Sequence, residues 1–240
     1  KMSKSKGNTV SPRDYVERYG ADTLRCYILF VGHPAEGGDW SDEGIAGIQH
    51  FLSRLWRAAT DAVERTEPSS GPTGQPTELL RKAHWAIDKV TRDLGERFAT
   101  HTSIAAVMEL VNDIFRHRDA LAEAPEDASQ LRFAVATAAS LVFPFAPHLG
   151  SEVYELITRR RVWEEPWPQA DPSLLVADVI QLIVQLNGKL IDRLEMPADA
   201  SEEEQERIAR ASEKLAARLD GRQVVKTIVV PRKLVNFVAR

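Results

Sequence analysis

Ser41-Asp42-Glu43-Gly44-Ile45-Ala46-Gly47-Ile48-Gln49-His50-Phe51-Leu52-Ser53-Arg54-Leu55 sets apolar side chains three or four positions apart. Ile45, Ile48, Leu52, Leu55, Ala59, Ala62 and Val63 carry the rhythm to about Arg65, one stripe of a long helix. Ser41 is a natural N-cap, with Trp40 and Ile45 on either side as a hydrophobic staple. Outward toward the C-terminus, Pro68 to Gly74 is a loop of breaker residues. The same periodicity predicts helices from about Thr77 to Phe98 (Leu80, His84, Ile87, Val90 and Leu94 on one face) and from Ser103 to Ala122. After the break at Ala124-Pro125-Glu126-Asp127, an Ala-rich helix apolar on nearly all sides covers Ser129 to Val142. Pro144 and Pro147 interrupt it before a shorter helix from about His148 to Ile157. Helices of this length joined by short loops predict an antiparallel bundle. Trp56, Trp85 and Phe143 fall at helical spacing and are expected in its core.

Beyond Trp163-Glu164-Glu165-Pro166-Trp167-Pro168 the pattern changes. Residues 169–177 read as a linker, and Val179 to Leu186 and Lys189 to Met196 as two strands around Asn187-Gly188, the strongest short hairpin signal. Ser201 with Glu204 forms a capping box, followed by one helix along Ile208, Ala211, Leu215 and Leu219 that Gly221 ends. Strands from Val224 to Val230 and Leu234 to Ala239 close the chain. The predicted fold is mainly α, a helical bundle followed by a small α+β module of order ββαββ.

Composition narrows the function classes. The 240 residues are 43% hydrophobic and 28% charged, ordinary for a globular chain with one or two cores. The longest apolar run, 133–147, is broken by proline and too short to span a bilayer. One cysteine, Cys26, excludes an internal disulfide and a multi-cysteine zinc site, and the six histidines show no metal spacing. The net charge of −4 does not announce a nucleic-acid binder, but basic residues cluster. Arg222, Lys226, Arg232, Lys233 and Arg240 share the last twenty residues with no acid, and Arg116-His117-Arg118 and Arg159-Arg160-Arg161 form two more clusters. Such local excess is what phosphate contact requires.

Toward the N-terminus, Ser11, Pro12 and Asp14 open a short helix with a capping-box arrangement, stopped at Gly20. Ala21-Asp22-Thr23-Leu24-Arg25 opens a second, largely apolar helix to about Val31. Before them stand Lys1-Met2-Ser3-Lys4-Ser5-Lys6-Gly7-Asn8. This opening resembles the nucleotide-binding signature loop of class I aminoacyl-tRNA synthetases, and the Tyr-Gly-Ala-Asp-Thr-Leu-Arg run at 19–25 resembles the stem-contact region of class Ia. Phe30-Val31-Gly32-His33-Pro34, Phe51 to Arg57, Val184 to Leu190 and Ile228 to Asn236 are similar to the bacterial leucine-specific branch of that class. The resemblance covers essentially the whole chain. It implies a bundle that is the anticodon-binding domain of class Ia synthetases.

What the resemblance implies about chemistry is ATP-dependent activation of leucine and its transfer to tRNALeu. In the activation step pyrophosphate leaves the α-phosphorus, and cations aimed at the growing charge lower the barrier. Lys1 and Lys4 are the candidate catalytic residues; with Ser3 and Ser5 they form the ATP-binding set. Arg116, Arg118, Arg222, Lys226, Arg232 and Lys233 are the candidate tRNA contacts. The implied division is 1–40 signature loop and stem-contact helices, 41–168 bundle, 169–177 linker and 178–240 C-terminal module. The chain reads as a C-terminal fragment of a cytoplasmic, monomeric ligase that uses ATP and Mg2+, and it is not expected to be active alone. The alternatives are a free-standing synthetase-derived RNA-binding module, a small subunit of a split synthetase, or a fragment from a valyl or isoleucyl relative.

Overall fold

The computed structural model describes residues 9–32, 38–69, 71–124, 127–175, 179–197, 200–219, 222, 224–231 and 233–239. The signature loop, Lys1 to Asn8, and Arg232 lie outside the described residues. The chain divides into two compact units, Lys1–Leu175 and Val176–Arg240.

The first unit holds eight of the described α-helices: α1 Pro12–Tyr19, α2 Ala21–Phe30, α3 Asp42–Arg65, α4 Glu78–Arg97, α5 Thr100–Glu123, α6 Ala128–Val142, α7 Pro147–Thr158 and the short α8 Pro172–Leu175. Ser41 Oγ accepts from the Gly44 N–H at 3.2 Å, so α3 starts where its cap residue demands. Thr77 caps α4 in the same way through Leu80. Arg54 meets Asn112 and Arg65 meets Asp119, so α3 and α5 run parallel; Glu78 meets His117 and Lys82 meets Glu109, so α4 runs against α5. Ile45, Ile48, Leu55, Leu79, Ile87, Ile104, Leu110, Ile114, Leu131 and Leu141 are essentially inaccessible in the shared core. α6 is buried on almost every side, as its all-round apolar sequence requires.

The helices depart from the sequence expectations at several points. α5 begins at Thr100, three residues before Ser103, because Ser103 is buried and donates back to the Ala99 carbonyl at 3.0 Å instead of capping. Ser11 makes no side-chain cap to α1. Trp56 is 39% exposed because it follows fully buried Leu55 and so sits about 100° round the helix from the apolar stripe. Trp85 is half-buried beneath the Lys82 ammonium, 3.4 Å from its ring centroid, and half-buried Phe143 sits where the chain leaves α6. Trp40 serves less as a staple than as a wedge, edge-on to Tyr15 and Tyr27 at 4.7 and 5.0 Å.

Residues 166–175 lie against the bundle. Trp167 Nε1 donates to Thr91 Oγ1 at 2.8 Å, and the Asp171 N–H donates to His84 Nδ1 at 3.0 Å. Burial holds the His84 imidazole below its ordinary pKa, which keeps Nδ1 a lone-pair acceptor.

The second unit is a four-stranded sheet of order β2-β1-β4-β3 with two helices. β1 spans Val179–Leu186, β2 Lys189–Pro197, α9 Glu202–Arg210, α10 Glu213–Leu219, β3 Val224–Val230 and β4 Leu234–Ala239. β1 and β4 are parallel; the other neighbours are antiparallel. Asn187 and Gly188 have φ of 49° and 78°, the pair a type I′ turn needs. Asn187 also ties that turn to β4, accepting from the Ala239 N–H at 3.0 Å and donating to its carbonyl at 3.1 Å. The single helix expected after Ser201 is two. Ser212 accepts from the Leu215 N–H at 3.2 Å, capping α10, and donates to Asp192 at 2.8 Å. That side chain satisfies a new helix start, so the chain breaks at Ala211, which is exposed rather than apolar-facing.

Candidate nucleic-acid interface

On the flank of the bundle, three guanidinium groups gather round one aromatic ring. Arg54, Arg57 and Arg118 lie 4.6, 5.7 and 4.5 Å from the Phe115 centroid. α3 contributes two of them at i and i+3; α5 contributes Phe115 and Arg118, also at i and i+3. Arg118 ion-pairs with Asp61, and Arg116 with Asp113. Arg65 binds Asp119 at 2.5 Å and holds that carboxyl below the usual range. Arg54 is held by the Asn112 amide oxygen at 2.5 Å, a neutral partner that leaves its charge uncompensated. Arg57 is exposed and has no carboxylate partner among the described residues. Five guanidinium groups thus share three carboxylates in ion-pair contact, with Glu123 a fourth acid acting on Arg65. A guanidinium stacked on a ring keeps its N–H edge for a phosphate, and the surplus charge is available to one.

The sequence expectation named Arg116 and Arg118 and did not name Arg54 and Arg57. The structure commits Arg118 inward, half-buried with its Nε lacking a hydrogen bond, and leaves Arg54 and Arg57 as the unneutralised pair. Their i, i+3 spacing beside the apolar stripe was a readable signal; Phe115, some sixty positions away, was not.

At the N-terminal end, α1 and α2 are locked to the bundle by polar anchors. Tyr15 Oη donates to Asp42 at 2.6 Å, and the Tyr27 hydroxyl accepts from the Ser41 N–H at 2.7 Å. The Asp42 carboxyl is held below its ordinary range by the hydrogen bonds from Tyr15 and Trp40. Asp22, in α2, accepts from the Leu149 N–H at 2.7 Å and pairs with His148 at 2.8 Å, capping α7 from a residue far away in sequence. Cys26 is fully buried and its thiol is pushed up to about 12 by burial, an inert core group. Lys1, Ser3, Lys4 and Ser5 lie outside the described residues.

In the second unit, Arg222, Lys226 and Lys233 are exposed. Lys226 points from β3 to the same side as exposed Ile228 and Val230; Thr227 and Val229 alternate inward and Val229 packs on the core. Lys233 follows β3 in the turn to β4, where its N–H donates to Val230 and its carbonyl accepts from Ile183. Arg232 lies outside the described residues.

Comparison with known proteins gives the family of the chain. Residues 77–206 match the family model of the anticodon-binding domain of tRNA ligases, and residues 1–38 match that of class I tRNA synthetases for I, L, M and V. The chain is 41% identical to a leucine–tRNA ligase of Syntrophobacter fumaroxidans across 99% of its own length and 30% of the relative's. It is 37% identical to the leucine–tRNA ligase of Symbiobacterium thermophilum, over 100% of this chain and 32% of that one. A LeuRS of Agrobacterium radiobacter K84, solved in a ternary complex with tRNA and LeuAMS, superposes with a TM-score of 0.83 at 31% identity, covering all of this chain and 32% of that one. The chain therefore spans about a third of the length of these relatives.

Proposed function

We propose, from the premise that this chain belongs to the anticodon-binding domain family of tRNA ligases, that it is the C-terminal part of a leucine–tRNA ligase. On this reading 1–40 close the catalytic region, 41–168 form the bundle that grips the tRNA body, 169–177 connect, and 178–240 meet the tRNA elbow. The enzyme joins the leucine carboxylate to the α-phosphorus of ATP, expels pyrophosphate, and passes leucine to tRNALeu in the cytoplasm, as a monomer. Lys1 and Lys4, with Ser3 and Ser5, belong to the loop that meets the ATP phosphates; Mg2+ would share that charge when bound. The observation that carries the tRNA role is the guanidinium surplus over Phe115, together with whole-chain similarity to leucine–tRNA ligases. Arg222, Lys226, Arg232 and Lys233 are the phosphate and sugar contacts of the C-terminal module.

Two variants of the full-length protein separate the roles. Arg232→Ala with Lys233→Ala weakens tRNALeu binding and aminoacylation while leucine-dependent ATP–pyrophosphate exchange stays near wild type. Lys4→Ala slows that exchange by about 10²–10³, the scale of one lost transition-state donor. Equal loss of both activities in the first variant, or unchanged exchange in the second, contradicts the assignment.

A further inference from the structure

A groove of about 310 Å3 opens between α6, α7 and the 162–168 segment, on the described surface of the first unit and formed by none of the candidate tRNA contacts. Phe133, Tyr154, Pro166 and Pro168 give it flat apolar surface, beside polar lining from Ser129, Arg132, Thr158 and Glu165. Phe133 is held in position by the His84 ring, stacked 5.3 Å away. Two hydroxyl-bearing residues of α6, Thr137 and Ser140, share one helix face and line the same groove. They are only 4% and 9% exposed, and neither side chain has a hydrogen-bond partner among the described residues. Neither hydroxyl oxygen is enclosed, so both open to the groove, whereas a helical threonine or serine ordinarily bonds back to its own helix. These two leave their hydrogen-bonding capacity to whatever enters the groove. The Tyr154 hydroxyl likewise has no partner among the described residues, and burial raises its pKa, so it is a neutral donor and acceptor. At the mouth, Arg160 is 68% exposed and only loosely held by Glu165, at 3.4 and 3.5 Å.

Flat apolar surface, hydroxyls in the lining and a loosely held cation at the rim match the parts of a nucleotide. We infer that this groove takes one unstacked nucleobase of the bound tRNA, stacked on Tyr154 and Phe133, its polar edge bonded by Thr137 and Ser140, its phosphate near Arg160. The volume sits at the small end of the ~300–1,000 Å3 typical of ligand sites, which suits one nucleoside rather than a run. Hydroxyls both donate and accept, so the groove tolerates more than one base. The inference rests on the tRNA-binding reading above.

The test uses full-length protein, a tRNALeu transcript and the variants Tyr154→Ala/Thr137→Val and Tyr154→Phe. The expected result is a loss of affinity of about 5- to 100-fold in the double variant, the range for one stacked base, with the salt dependence of binding unchanged. Tyr154→Phe keeps the stacking surface and loses less. Dimethyl sulfate and carbodiimide probing should find one unpaired base protected by the wild-type protein and reactive with the double variant. Wild-type affinity and footprint in the double variant, with melting unchanged, overturn the groove while leaving the tRNA reading intact. Binding of free mononucleotides with no change in the tRNA footprint also overturns it, in favour of a free nucleotide. A wild-type protein that binds no tRNA overturns both.

Discussion

Replacing Arg132 with methionine should destabilise the first unit by about 2–4 kcal/mol. Arg132 is 5% exposed in the middle of the bundle and has no carboxylate within ion-pair distance among the described residues. It donates instead to carbonyls at the ends of two helices: Thr66 at 2.9 Å, with the Thr66 hydroxyl at 3.2 Å, and Ile157 at 3.0 Å. Those oxygens are the negative ends of α3 and α7, so one cation satisfies acceptors that have no partner within their own helices. A charge-assisted bond contributes ~1.5–3 kcal/mol, and two helix ends lose one each. Relief of a desolvated charge offsets part of the loss. Burial holds the guanidinium pKa down, and an arginine side chain stays charged in proteins all the same. Grooves adjoin Arg132 on both sides, so water can reach the abandoned carbonyls, which together with that relief lowers the cost from the ~3–6 kcal/mol of two lost bonds to about 2–4 kcal/mol. For a unit of this size the melting temperature should fall by about 4–16 °C. The five tryptophans all precede residue 176, so urea unfolding followed by tryptophan fluorescence reads this unit alone. Arg132→Lys should fail nearly as badly, since one ammonium cannot span both helix ends. A methionine variant within ~0.5 kcal/mol of wild type, with the same denaturant slope, would refute the reasoning.

Arg54→Ala with Arg57→Ala should weaken tRNA binding across salt concentrations and lower the logarithmic salt slope by about two, one for each phosphate no longer neutralised; an unchanged slope removes these arginines from the interface. Gly188→Val puts a β-branched residue at φ 78° and should cost the second unit about 1–2 kcal/mol, read by loss of hydrogen-exchange protection in β1 and β2. Cys26, with its thiol raised to about 12, should resist iodoacetamide at pH 8 until denaturant is added. Its linkage has a definite sign: the unfolded thiol, at 9.0, loses its proton first, so the contribution is full below pH 9 and is lost as pH rises toward 12. Constant stability from pH 8.5 to 10.5, after correction for lysine and tyrosine titration, contradicts it.

The helices with long apolar stripes were legible because burial and periodicity say the same thing. Ser41 and Ser201 were legible as caps because each accepts from the N–H three residues on. Asn187-Gly188 was legible because few other pairs adopt two positive φ angles. The failures share one cause, side chains whose partners are remote. Ser103 looks like a helix start until its burial is known, and Ser212 looks like helix interior until Asp192 reaches it from β2. Arg132 stands in an apolar helix with nothing nearby to explain it; its partners come from residues 66 and 157. The α3–α5 patch likewise needs the fold to bring Phe115 under Arg54 and Arg57.

The central claim is amino-acid identity joined to tRNA handling, and ATP–pyrophosphate exchange tests it most directly. Full-length protein is assayed with leucine, isoleucine, valine and methionine in turn, and the charged RNA is then identified by aminoacylation of total tRNA. The account predicts efficient exchange with leucine and transfer to tRNALeu alone. Efficient exchange with valine or isoleucine and none with leucine, or charging of another tRNA, would contradict it.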